Sequence, residues 1–127
     1  MYKRQELGNA PAVHFAAEAE GDAGAAVEAS ESLTWKQLLA RVDETSKGLI
    51  KLGVDLQDPV AIIGPNSIEW TLAHLGAASV GSIAVGIHEN YDHDTVAYLA
   101  GQVRAGVVVA TSIEAAEALK GLSLIHI

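Results

Sequence analysis

The sequence of 127 residues contains no cysteine. This absence excludes disulfides, thiolate nucleophiles and zinc sites built from thiolates, because each of these needs the cysteine sulfur. It also fits an intracellular protein, and we expect either a cytoplasmic location or a peripheral association with a membrane.

Basic residues are also few, with eight Lys and Arg against 16 Asp and Glu and a net charge of -8. They are scattered, and a nucleic-acid-binding surface needs a basic stripe to neutralise phosphates, so we exclude nucleic acid as a partner. A membrane-spanning helix needs about 20 apolar residues. The longest weakly polar stretch, 72–87, is interrupted by His74 and three glycines, so we expect no transmembrane segment.

Half of the residues are hydrophobic, which is enough for a buried core. The segment 1–32 begins with short strand-like runs at 13–16 and 26–29, separated by the turn-like residues 20–24. These runs predict a β-hairpin, with an alanine-rich helix as the alternative.

A helix is predicted over residues 34–52. Thr34 and Gln37 have the spacing of a capping box, in which each side chain accepts from the other residue's backbone N–H. Gly53 is a suitable terminator, because glycine adopts the left-handed conformation that ends many helices. The predicted apolar face consists of Leu38, Leu39, Val42, Leu49, Ile50 and Leu52.

Three apolar runs follow, at 59–64, 82–87 and 107–110, and each has the continuous pattern of a strand covered on both faces. Helices are predicted between and after them. The first helix is capped by Asn66 or Ser67. The second begins at Asp92 or Asp94 and ends at Gly106. The third begins with a capping box at 111–114 and runs to 120. This alternation predicts an α/β fold of βα repeats around a parallel sheet.

No sequence motif for phosphate binding, GxGxxG or GxxxxGK[ST], is present, and neither HExxH nor GxSxG occurs. Gly76, Gly81 and Gly86 are spaced for close packing rather than for a phosphate cradle. The turn Gly64–Pro65–Asn66–Ser67 precedes a helix, but Pro65 has no N–H to offer an anion, so we predict simple capping. Trp35 and Trp70 are predicted to be packing residues.

One cluster of titratable side chains follows the second strand, where open α/β sheets place ligands. We predict a solvated loop that caps the next helix, with metal binding as the alternative. The cluster consists of His88, Glu89, Asp92, His93 and Asp94.

The ordered set of segments 33–35, 48–54, 58–70, 77–81 and 84–87 resembles the opening of the adenylate-forming (AMP-binding) acyl-CoA synthetases. The words Asn66-Ser67-x-Glu69-Trp70 and Ala-Val-Gly-Ile at 84–87 are most similar to the "bubblegum" branch, which activates long-chain fatty acids. His88 and Glu89 depart from that branch.

The resemblance implies the N-terminal part of the large domain of a long-chain fatty acid–CoA ligase. Such a parent enzyme uses ATP, Mg²⁺ and coenzyme A, but its phosphate loop, nucleotide motifs and catalytic lysine are not in this sequence. No catalytic, cofactor-binding or metal-binding role is therefore carried over to any residue here. We expect an inactive fragment that needs the rest of the large domain for stable folding.

Three regions are expected: an N-terminal segment at 1–32, a partial AMP-binding-type α/β domain at 33–121, and a tail at 122–127 that does not resemble the family and is a candidate artefact. Two alternatives to the long-chain ligase stay open. One is a part of another adenylate-forming ligase, and the other is a free-standing flavodoxin-like α/β binding module.

Overall fold

The computed structural model describes residues 8–16, 30–118 and 125–126. The chain divides into two compact units, Met1–Arg41 and Val42–Ile127. No helix in the described ranges is long and apolar enough to cross a membrane. The elements in chain order are β1 (Pro11–Ala16), β2 (Ser30–Thr34), α1 (Trp35–Lys51), β3 (Pro59–Ile63), α2 (Ile68–Ser79), β4 (Ile83–Ile87), α3 (His93–Gln102), β5 (Val107–Ala110), α4 (Ile113–Ala118) and β6 (Ile125–His126).

The first unit contains an antiparallel pair, in which Pro11 of β1 lies opposite Thr34 of β2 and Ala16 lies opposite Ser30. The helical alternative for this region is therefore wrong for residues 11–16. The second strand begins later than the predicted run at 26–29. That run and the predicted turn at 20–24 lie outside the described residues.

The predicted capping box begins α1. The Thr34 N–H donates to Gln37 Oε1 at 2.9 Å, and the Gln37 N–H donates to Thr34 Oγ1 at 3.2 Å. The helix ends at Lys51, and Gly53 follows with a φ of 90°, in the left-handed region where glycine costs least. Both predicted ends of the helix are confirmed.

Leu38, Val42 and Leu49 of the predicted apolar face of α1 are buried, and Leu49 is only 2% exposed. Leu39 and Leu52 are half-buried. Ile50 was predicted on the same face, but 58% of its surface is exposed, so that assignment is wrong. Residues 49 and 50 are neighbours on a helix and point about 100° apart, which follows from 3.6 residues per turn. Only one of them belongs to the buried stripe.

A four-stranded sheet with the order β4-β3-β5-β6 organises the second unit, and all of its strand pairs are parallel. Helices cover both faces of this sheet, which makes it doubly wound and confirms the predicted fold class. One face packs against α3 and α4 through Ala61, Ile63, Ile87, Val96, Ala100, Val108 and Ala115. The other face packs against α2 and the end of α1 through Leu49, Val54, Val60, Ile62, Ala73, Ala77 and Val107.

The strands differ in how well they are covered. Val60, Ala61 and Ile62 of β3 are fully buried, because β3 lies between two strands and two helical layers. β4 lies at one end of the described sheet, and Ile83 leaves 53% of its surface exposed. The prediction that every strand is covered on both faces is therefore wrong for β4.

Helices α1 and α2 approach each other closely at Gly76. A Cβ atom placed on Gly76 would lie 2.7 Å from Thr45 Cγ2 and 3.0 Å from Thr45 Cβ. Ser46 is buried beside this contact, and its hydroxyl hydrogen-bonds the carbonyl oxygens of Val42 at 2.9 Å and Gly76 at 3.2 Å. Glycine at position 76 lets the two helices come this close.

The predicted end of the helix after β4 is wrong. Helix α3 ends at Gln102, and Arg104 rather than Gly106 adopts the left-handed conformation, with a φ of 53°. The Arg104 and Ala105 N–H groups donate back to the carbonyls of Gly101 and Ala100, which closes the helix two residues before the predicted glycine. Helix α4 is described only to Ala118, so its predicted end at 120 lies outside the described residues.

Candidate functional site

The topology directs attention to the carboxyl ends of β3 and β5. The chain leaves β3 for α2 on one face of the sheet, and it leaves β5 for α4 on the other face. Neighbouring strands whose connections diverge in this way form a topological switch point. In open α/β sheets, ligands bind outside the carboxyl ends of the strands at such points.

Gly64 and Thr111 bring these two strand ends into contact. The Thr111 N–H donates to the Ile63 carbonyl at 3.0 Å, which extends the β3–β5 pairing by one bond. A Cβ atom on Gly64 would overlap the Thr111 hydroxyl, and Gly64 has a φ of 151° that side chains rarely adopt. The contact therefore depends on glycine at this position for both space and backbone conformation.

The Thr111 hydroxyl oxygen is buried and has no hydrogen-bond partner among the described residues. The sequence predicted that this hydroxyl would cap α4. That prediction is wrong, because Ser112 Oγ accepts from the Ala115 N–H at 3.1 Å instead. The true cap lies one residue later, and the threonine side chain is packed against Gly64.

The turn after β3 caps helix α2. Ser67 Oγ accepts from the Trp70 N–H at 3.1 Å, so Ser67 rather than Asn66 is the N-cap of α2. Pro65 and Asn66 are exposed. The predicted capping role of this turn is confirmed.

The loop between β4 and α3 carries the cluster of titratable residues, and all of its members are exposed. Asp92 is the N-cap of α3 and accepts from the Thr95 N–H at 2.7 Å. Hydrogen bonds from Thr95 lower the pKa of Asp92 below its usual 3.8, because they stabilise the charged carboxylate. The predicted capping role of the loop is confirmed.

His93 lies close enough to Asp92 to contribute to the lowering of the pKa of that carboxyl, whereas the described contacts of His88 are with Asn90 and Tyr91. His88 Nδ1 accepts from the Asn90 N–H at 3.2 Å, and its ring lies 5.5 Å from that of Tyr91. In the part of the chain that the structure describes, no three His, Cys, Asp or Glu side chains are placed to hold a metal ion. The predicted cluster is therefore a capped surface loop in this geometry.

Trp70 packs at the junction of α2 and β4. A Cβ atom on Gly86 would lie 3.3 Å from Trp70 Cζ2, and the ring of Trp70 stacks on His74 with centroids 5.5 Å apart. The predicted packing roles of Trp70, Gly76 and Gly86 are confirmed. Trp35 leaves 47% of its surface exposed and packs less than predicted.

Gly81 has a different role from the other two glycines of the predicted packing set. Its φ of 74° places it in the left-handed region, so the turn into β4 depends on its conformational freedom.

The switch-point contact between Gly64 and Thr111 was missed by sequence reasoning altogether. No local signal could have found it, because the two residues are far apart in the chain.

The chain matches a family model over most of its length. The matching model is described as AMP-binding enzyme and covers residues 13–126. Two curated relatives illustrate the match. Protein Y of Streptomyces griseus is 39% identical over 92 residues, which cover 72% of this chain and 30% of that protein. The long-chain-fatty-acid–CoA ligase ACSBG2 of Xenopus laevis is 35% identical over 77 residues, covering 61% of this chain and 10% of that ligase.

Solved structures share the fold. The anthranilate CoA ligase AuaEII in complex with anthranoyl-AMP is 25% identical with a TM-score of 0.66, over 72% of this chain and 18% of that one. A Mycobacterium tuberculosis fatty acyl CoA synthetase is 24% identical with a TM-score of 0.68, over 76% of this chain and 20% of that one. The chain thus spans a minor part of the length of each of these four proteins.

Proposed function

The chain belongs to the AMP-binding enzyme family, and we propose that it is the N-terminal part of an ATP-dependent long-chain fatty acid–CoA ligase. The observation that carries this proposal is the 35% identity to a long-chain-fatty-acid–CoA ligase over 77 residues. The doubly wound sheet supports it, because solved acyl-CoA ligases have the same arrangement. The family match also favours a ligase over a free-standing flavodoxin-like module.

The proposed ligase acts in two steps. The fatty acid carboxylate attacks the α-phosphorus of ATP, which forms an acyl-adenylate and releases pyrophosphate. The thiol of coenzyme A then attacks the acyl carbonyl, and AMP leaves as the thioester forms. Mg²⁺ would neutralise the phosphate charge in the first step.

The described residues do not fit a triphosphate. The turn after β3 precedes a helix, but Pro65 lacks an N–H and the Ser67 hydroxyl already accepts from Trp70. The Thr111 hydroxyl is buried under Gly64 rather than presented to solvent. We therefore assign no step of the reaction to these side chains.

In this proposal the chain acts as scaffold for sites further along the ligase. The contact between Gly64 and Thr111 fixes the spacing of the β3 and β5 ends, against which later segments would pack. The rest of the large domain would be needed for stable folding. The ligase itself would be intracellular, either cytoplasmic or peripherally associated with a membrane.

A second candidate is a ligase for an aromatic acid. It is favoured by the likeness to the anthranilate CoA ligase, which is 25% identical over 72% of this chain. Both candidates form an acyl-adenylate, so the acid that is activated distinguishes them.

The test is pyrophosphate release by the full-length ligase with ATP and Mg²⁺, measured separately with palmitate, octanoate and anthranilate. We expect palmitate to give the highest kcat/KM and to yield palmitoyl-CoA when coenzyme A is added. A preference for anthranilate would support the second candidate. No release with any acid would refute both.

The matched control is the 127-residue chain under the same conditions. We expect no release above a blank without protein, because this sequence has no phosphate loop. Turnover by the chain alone would contradict its assignment as a scaffold.

A further inference from the structure

We draw no further inference here: the strongest candidate, the apolar outer edge of strand β4, which has no strand partner beyond β3 among the described residues and leaves Ile83 exposed, carries nothing because nothing in the structure shows what covers that edge.

Discussion

The close approach of α1 and α2 makes a specific prediction for Gly76→Ala. The new Cβ atom would lie 2.7 Å from Thr45 Cγ2, a separation that packed carbon atoms do not adopt. The helices must then move apart or Thr45 must change its rotamer. Either change disturbs the buried hydrogen bond from Ser46 to the Gly76 carbonyl, which is 3.2 Å long.

The expected magnitude is the balance of two effects. Overpacking of a tight contact costs about 1–3 kcal/mol. Alanine in a helix interior is more favourable than glycine by roughly 0.5–1 kcal/mol. The net loss should therefore be about 1 kcal/mol, within a range of roughly 0–2.5 kcal/mol. Gly48→Ala isolates the second effect, because Gly48 is also helical and, apart from its chain neighbours and the backbone of its own helix, no described atom lies within 4 Å of its Cβ position.

The assay is the urea midpoint of each variant by circular dichroism, with the substitution made in the full-length ligase because, under the proposed function, the rest of the large domain is needed for stable folding. We expect the order Gly48→Ala, wild type, Gly76→Ala, from most to least stable. Thr45→Ser removes Cγ2 and retains the hydroxyl. Combined with Gly76→Ala, it should recover at least half of the loss relative to Thr45→Ser alone.

Two outcomes would refute the reasoning. If both glycine substitutions stabilised the chain equally, the contact at Gly76 would not be tight. If Thr45→Ser gave no recovery, the loss would arise somewhere other than Thr45 Cγ2.

Leu49 is 2% exposed, so Leu49→Ala should lower the free energy of unfolding by about 2–5 kcal/mol. Lys47 is exposed, so Lys47→Ala should lower it by about 0.5 kcal/mol or less. Equal urea midpoints for the two variants would show that the buried face of α1 is misassigned. Asp92→Ala should lower the midpoint at neutral pH, because the Thr95 N–H loses its acceptor. The folded pKa of Asp92 is lowered, so its contribution is present above the unfolded value of 3.8 and is lost as the pH falls through the folded pKa. The difference between wild type and Asp92→Ala should shrink in acid, and a constant difference down to full protonation would argue against the cap. Thr111→Val should leave the urea midpoint unchanged or raise it, because it removes a buried hydroxyl with no described hydrogen-bond partner. Thr111→Ser keeps the hydroxyl and loses the methyl group, so it should be less stable than Thr111→Val. The reverse order would reveal a hydrogen-bond partner for the hydroxyl.

Local signals predicted the features that depend on neighbouring residues. The capping box of Thr34 and Gln37 was predictable because both hydrogen bonds span three residues of the same chain segment. The order of strands and helices followed from the apolar runs for the same reason. The α/β class could therefore be predicted before any long-range contact was known.

Features that depend on long-range contacts were not predictable. The run Ile83–Ile87 is as apolar as its neighbours, but the sheet order places it at an edge. Thr111 had the spacing of a helix cap, yet its side chain packs against Gly64, which lies in a different βα unit. The candidate site was hidden in the same way, since the switch point exists only once β5 is paired with β3.

The position of β3 has a consequence for the dynamics of the chain. Its backbone is hydrogen-bonded on both sides, to β4 and to β5, and residues Val60–Ile62 are fully buried. Amide hydrogens there exchange with solvent only when the unit opens as a whole. The outward amides of β4 have no strand partner in the part of the chain that the structure describes, so they need no such opening. Amide hydrogen-exchange rates should therefore increase across the sheet, from the slowest at β3 to the fastest at the outward amides of β4.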